Sequence, residues 1–130
     1  MGLLYHATWA SRREAIQTHG LEGRSDVTYS REIAAGFAAA FAEKRGDDHG
    51  LLVAINPTRD NFMAAAQTCP HCGGHCPVTG PVNATQISID LVPACPGAWR
   101  RLEAFWNTYN DHALRPRTAW AALTTWQALS

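Results

Sequence analysis

Leu51-Leu52-Val53-Ala54-Ile55, closed by Asn56-Pro57, is the stretch from which the fold is read. Five consecutive apolar residues, two of them β-branched, are too few for a helix and too uniform for a strand with one wet face. They read as a central strand, and proline ends it because it has no N–H to give a ladder. A charged turn at Gly46–Gly50 precedes this strand. Upstream of the turn, Ser30 is placed to cap a helix from Arg31 to Arg45, with Ile33, Phe37 and Phe41 along one stripe and alanines between them for close packing. Downstream, Ile87, Ile89 and Leu91 alternate with Ser88 and Asp90 as a half-buried strand that Pro93 and Pro96 break.

Towards the N-terminus, Leu3–Thr8 is an apolar strand carrying one histidine, His6. Ser11 and Glu14 have the spacing of a capping box for a short helix that turns Ile16 inward and ends at His19-Gly20. Asp26–Ser30 reads as a second strand. Residues 58–82 look irregular, rich in cysteine, proline and glycine.

After Gly97 the character changes. Trp99, Leu102, Phe105, Trp106 and Tyr109 follow helical spacing, and a last helix around Ala119–Ala128 carries Trp120, Leu123 and Trp126. Two helices packing over an exposed sheet face account for this pattern. An aromatic surface for a partner is the sharper reading.

The 130 residues are enough for one self-supporting domain, and 46% apolar with 17% charged side chains describes a folded chain. Eleven basic and eleven acidic residues cancel, so the bulk charge carries no footprint for nucleic acid, although Arg12, Arg13 and Arg24 allow a local basic patch. No signal peptide or bilayer-length apolar run is present, which leads to the expectation of a cytoplasmic chain without a membrane role.

Cys69-Pro70-His71-Cys72-Gly73 is the most specific short motif. Two cysteines three apart on a tight turn aim both thiolates at one metal, and the glycine lets the backbone direct amides at the sulfurs. The pentapeptide resembles the knuckle of zinc ribbons and rubredoxins. A closed tetrahedral zinc site needs four ligands. The preferred set is Cys69, Cys72, Cys76 and Cys95, with His75 or His71 as substitute for a cysteine. Such a zinc would be structural, tying down a loop at 67–77.

The order of Leu4-Tyr5-His6-Ala7-Thr8, Ile16 through Gly20-Leu21, Val27-Thr28-Tyr29-Ser30, the alanine-rich helix with Ala34, Phe37 and Ala38, and Leu51–Ile55 resembles the ADP-ribosyltransferase superfold. RNA 2′-phosphotransferases share that fold and a similar start. The resemblance covers about the first 57 residues, with a weaker echo at Gly80-Pro81-Val82 and Ile87-Ser88. It implies an α+β domain over residues 1–95, with a split, mostly antiparallel sheet that clamps NAD and a metal-stabilised loop. Residues 96–130 would be a C-terminal helical extension packed on the same domain.

By that resemblance His6 would bond ribose hydroxyls of NAD, Ala7 would meet nicotinamide through its backbone, and Thr8 and Ser30 would flank the cofactor. Either Tyr29, the right chemical type, or Thr28, the right register, would lie against the nicotinamide ring, because alternation lets only one face the cleft. Active transferases place a Glu before a late strand to stabilise the cation that forms as nicotinamide leaves. No acidic residue lies between Asp60 and Asp90, and Gln86 and His75 are the polar substitutes. Three readings follow: a divergent mono-ADP-ribosyltransferase acting on a macromolecular target, a nucleotide binder without turnover, and a phosphotransferase-like enzyme drawing on Arg12, Arg24 and Arg31. From a different class comes a non-catalytic, zinc-stabilised interaction or inhibitor module.

Overall fold

β3 (His49–Ile55) is the middle strand of a three-stranded antiparallel sheet, flanked by β1 (Leu4–Thr8) and β5 (Ile87–Pro93) in the computed structural model, which describes residues 2–23, 25–61, 78–110 and 119–129. The register pairs His6 with Val53 and Val53 with Ile89, so one row crosses all three strands. Between β1 and β3 lie a 3-10 turn (Ala10–Arg12), α1 (Arg13–His19), β2 (Ser25–Asp26) and α2 (Arg31–Arg45). β4 (Val78–Thr79) pairs with β2 as a separate two-stranded sheet, and a second 3-10 turn (Ala84–Gln86) leads into β5. Ala98–Asn110 (α3) and Ala119–Ala128 (α4) follow. The architecture is mixed α and β, with an antiparallel sheet and a second small sheet.

The apolar run predicted as central is so. Leu51, Leu52, Val53 and Ile55 are fully buried. Leu51, Val53 and Ile55 join Leu4, Ile16, Leu21, Val27 and Val82 on one face of the sheet, with Tyr29, Ile87 and Ile89 at its margin. On the opposite face α2 lies directly against β3. A side chain on Gly50 would meet the Ala38 carbonyl at 2.1 Å, so only glycine lets the helix backbone come this close. Ser30 Oγ caps α2 by accepting from the Ile33 N–H at 3.2 Å, and the helix ends at Gly46 in a left-handed conformation, as its residues predict.

Three expectations are corrected. The Ser11–Glu14 capping box does not form: α1 starts later, after the 3-10 turn, and Ser11 Oγ instead accepts from Arg45, whose guanidinium stacks on Trp9. The second strand is only Ser25–Asp26, because past Asp26 the chain makes a single bridge, Thr28 to Tyr5, before Ser30 starts α2. The C-terminal helices cover α2 rather than the sheet. The Ile33–Phe37–Phe41 stripe points away from β3, and Phe37 packs edge-on against Phe105 and Trp106 and tilted against Trp126. Glu43 joins the layers by accepting from the Gly97 and Trp99 N–H groups at 2.7 and 2.8 Å, a negative charge where the α3 dipole favours one. Arg101, in the first turn of the same helix, donates to the Trp126 carbonyl near the end of α4 at 2.6 Å.

Candidate functional site

The two sheets part beside His6. Tyr5 and Thr28 exchange backbone hydrogen bonds at 2.9 and 2.8 Å, continuing the sheet beyond β1. Two residues further along, Asp26 has turned to pair with Val78 on β4. Strand alternation makes the odd residues of β1 the ones whose N–H and C=O face this outer edge. The backbone groups of Ala7 therefore face the parting.

His6 bridges it. Its Nδ1 lies 2.6 Å from the Asp26 main-chain oxygen, and a carbonyl only accepts, so Nδ1 carries the proton. Burial holds this imidazole below its ordinary value. The Asp26 carbonyl and carboxylate pull the other way, and the Arg12 guanidinium adds to the lowering. At neutral pH the ring is neutral and its Nε2 is an acceptor. A hydroxyl donor suits that atom and an anionic oxygen does not.

Alternation also sets Thr28 and Tyr29 on opposite faces. Thr28 lies opposite Tyr5 and shares the α2 side of the sheet, where its hydroxyl accepts from the Ser30 N–H at 3.1 Å. Tyr29 packs with Leu4 and Val27 on the face that His6 occupies, and burial raises its phenol above the ordinary value. His6 and Ala7 are consecutive on β1, Tyr29 lies one step along the sheet from His6, beside Leu4, Thr8 is buried at the end of the same strand, and Ser30 serves as a helix cap.

Gln86 stands apart from them, at the start of β5 and two strands from β1. Its Nε2 donates to the Asn56 carbonyl at 3.1 Å and to Asn61 Oδ1 at 2.8 Å, while its Oε1 accepts from the Asn83 N–H. Sequence reasoning missed Asn61, the hub of this clasp, which is buried and donates to Thr79 Oγ1 and the Pro81 carbonyl. The signal was Thr58-x-x-Asn61. Those two residues cap one another reciprocally ahead of a helical turn at 59–61, in a region read as irregular. The main chain of Asp26 as the partner of His6 has no sequence signal at all.

Cys69, Cys72, Cys76, His71 and His75 lie outside the described residues, as does Arg24. Cys95 is exposed just beyond β5, at the opposite end of that strand from Gln86 and Asn61. Among the described residues no three His, Cys, Asp or Glu side chains gather as metal ligands, and no helix is long and apolar enough to cross a membrane. Comparison with family models, curated proteins and solved structures yields no match.

Proposed function

We propose that the chain is a divergent mono-ADP-ribosyltransferase that takes NAD as co-substrate and modifies a macromolecular target, a protein before a nucleic acid. The supporting observation is the placement of His6 and Ala7 at one parted sheet edge, with Tyr29 a step along the same face as His6. Neutral His6 offers Nε2 to a ribose hydroxyl. Ala7 offers one N–H and one C=O, the complement of a carboxamide. Tyr29 supplies a ring on the face that His6 occupies. The acceptor state of His6 favours this reading over a phosphotransferase-like one, which needs donors towards phosphate.

In the reaction the bond from the ribose anomeric carbon to nicotinamide breaks, an acceptor nucleophile bonds that carbon, and its proton leaves to solvent. Gln86 has both amide hydrogens engaged and brings no charge to the cation that forms. Loss of one such contact costs about 3 kcal/mol, roughly a hundredfold in rate. Turnover is therefore slow, and binding without turnover is the limiting case. His75 is the remaining polar substitute from the sequence reading.

A structural zinc accompanies this proposal, held by Cys69, Cys72 and Cys76, with reduced thiolates in a cytoplasmic setting. Of the candidate fourth ligands Cys95, His75 and His71, a histidine of the loop is better supported than Cys95, and His75 is the preferred one. Cys76 is two residues from Val78, which pairs beyond β1, whereas Cys95 lies past the end of β5 on the other side of the sheet. The docking-module alternative has less support. Trp126 is buried against Phe37 and Phe105, and Trp106, at 43%, is the one exposed tryptophan among the described side chains.

Incubation of the full chain with labelled NAD and cell lysate, read as transferred label and released nicotinamide, tests the activity. A thermal shift with NAD tests binding, since ligand at about 100 times its Kd adds about 2.7 kcal/mol. No shift and no label would sink the proposal.

A further inference from the structure

β5 is an edge strand of the three-stranded sheet, while the other edge, β1, is already met by the Thr28 backbone. The direction of its free groups follows from two hydrogen bonds. Asn56 N–H donates to the Gln86 carbonyl and Ala94 N–H to the Asp48 carbonyl, so even-numbered residues of β5 turn their polar backbone towards β3. Odd-numbered residues turn theirs outward. Ile89 and Leu91 thus present N–H and C=O groups at the edge and Ile87 its C=O, its N–H being given to the Ala84 carbonyl, and among the described residues no strand pairs with them.

The side chains of the same three residues share one face. Ile87 and Ile89, with Gln17 and Ala84, line a cleft of about 180 Å³. Leu91, by contrast, stands 43% exposed as a knob. This edge therefore carries a cleft of mixed polar and apolar lining at one end and an apolar projection at the other.

We propose that β5 pairs antiparallel with β5 of a second copy of this chain about a two-fold axis through Ile89, giving a continuous six-stranded sheet. Side-chain alternation requires the axis to pass through a residue position rather than between two, or apolar side chains would lie opposite polar ones. With the axis at Ile89, Ile89 faces its own counterpart, and Leu91 of each copy lies opposite Ile87 of the other, which brings knob to cleft. Ile89 then exchanges both backbone bonds with its counterpart, and the Leu91 N–H of each copy reaches the Ile87 carbonyl of the other. Charge agrees: Asp90 lies opposite Ser88 of the other copy. An axis at Asp90 would oppose like charges and set Ile87 against Pro93, which has no N–H. The zero net charge of the chain adds no long-range repulsion between copies.

Sedimentation equilibrium of the full chain at micromolar concentrations tests this. The expected mass is twice the 14.2 kDa of one chain. Leu91→Lys, on an exposed side chain, should return it to the single-chain mass with an unchanged far-ultraviolet spectrum. Register is read by oxidation: Ile89→Cys should yield a cross-linked dimer above the wild-type background, because bonded antiparallel pairs sit about 5.5 Å apart at Cα, within disulfide reach. Asp90→Cys should not. A wild-type monomer overturns the proposal and leaves the edge to a strand from a different protein. A dimer that survives Leu91→Lys and fails to cross-link at 89 also overturns it, because it uses another face.

Discussion

The imidazole of His6 is tied to the main chain of Asp26, not to its carboxylate. That distinction shapes the site. A carboxylate partner would favour the charged ring, whereas a carbonyl fixes the tautomer and leaves burial to keep the ring neutral. The bond also spans the place where the sheets separate, so the residue that would meet a ligand holds the two sheets in register.

Stability should therefore depend on pH through His6. The unfolded imidazole titrates near its ordinary 6.5, and the folded one lower. Between those values the unfolded chain binds the extra proton, so stability rises with pH across that window and levels off above it. Acidification below the ordinary value erodes stability until the folded ring itself protonates. Urea midpoints measured across this range should show a shallower slope for His6→Gln than for wild type. Parallel slopes would show that His6 does not titrate differently on folding.

Binding should separate the ring from the carboxylate. His6→Ala should lose the NAD-dependent thermal shift while remaining folded, since His6 is not among the buried core side chains. Asp26→Asn should keep most of the shift, because the accepting oxygen belongs to the backbone. Retention of the full NAD response in His6→Ala would remove His6 from the site.

How much of this was legible follows from the range of the interactions. The Leu51–Ile55 run announced the central strand, and Ser30 and Gly46 announced both ends of α2, because burial and capping are local in sequence. The layering was not legible. Periodicity shows that α3 has an apolar face but not that α2, with alanine on one side and phenylalanine on the other, would take it. Placement of Tyr29 on the His6 face needed the Tyr5 bridge of Thr28, a contact 23 residues away in sequence. Asn61 was invisible for the same reason. A polar residue in an irregular stretch reads as solvated until its partners at Thr79, Pro81 and Gln86 are in place.

Asn61→Ala should be among the most damaging polar substitutions. It removes the donor to Thr79 and Pro81 and the acceptor for Gln86, leaving buried groups unpaired at roughly 1–3 kcal/mol for each one stranded. A loss of about 3 kcal/mol in chemical denaturation is expected. A loss below 1 kcal/mol, on the scale of a solvated surface change, would mean that water replaces the clasp.

Metal content should distinguish the fourth ligand. Wild type should carry one zinc per chain, and a chelator should lower its melting temperature, because binding energy at a structural zinc is folding energy. Cys95→Ser should keep the zinc and His75→Ala should lose affinity for it. Zinc lost from Cys95→Ser would restore the four-cysteine set, and a metal-free, equally stable wild type would end the zinc proposal.

The outermost layer offers a test in which two effects of one methyl group compete. Gly36 lies inside α2, where alanine is ordinarily better by up to about 1 kcal/mol. Here its added Cβ would stand 2.0 Å from Cζ2 of Trp126, a ring fixed by Phe37, Phe105 and Arg101. The indole cannot yield without shifting α4, and overpacking of this kind costs about 1–3 kcal/mol. Gly36→Ala should therefore destabilise by about 1–2 kcal/mol net and change the near-ultraviolet signal of the aromatic cluster, while NAD binding at the His6 edge is retained. A stabilised variant with an unchanged near-ultraviolet spectrum would show that α4 does not press on α2 at this point.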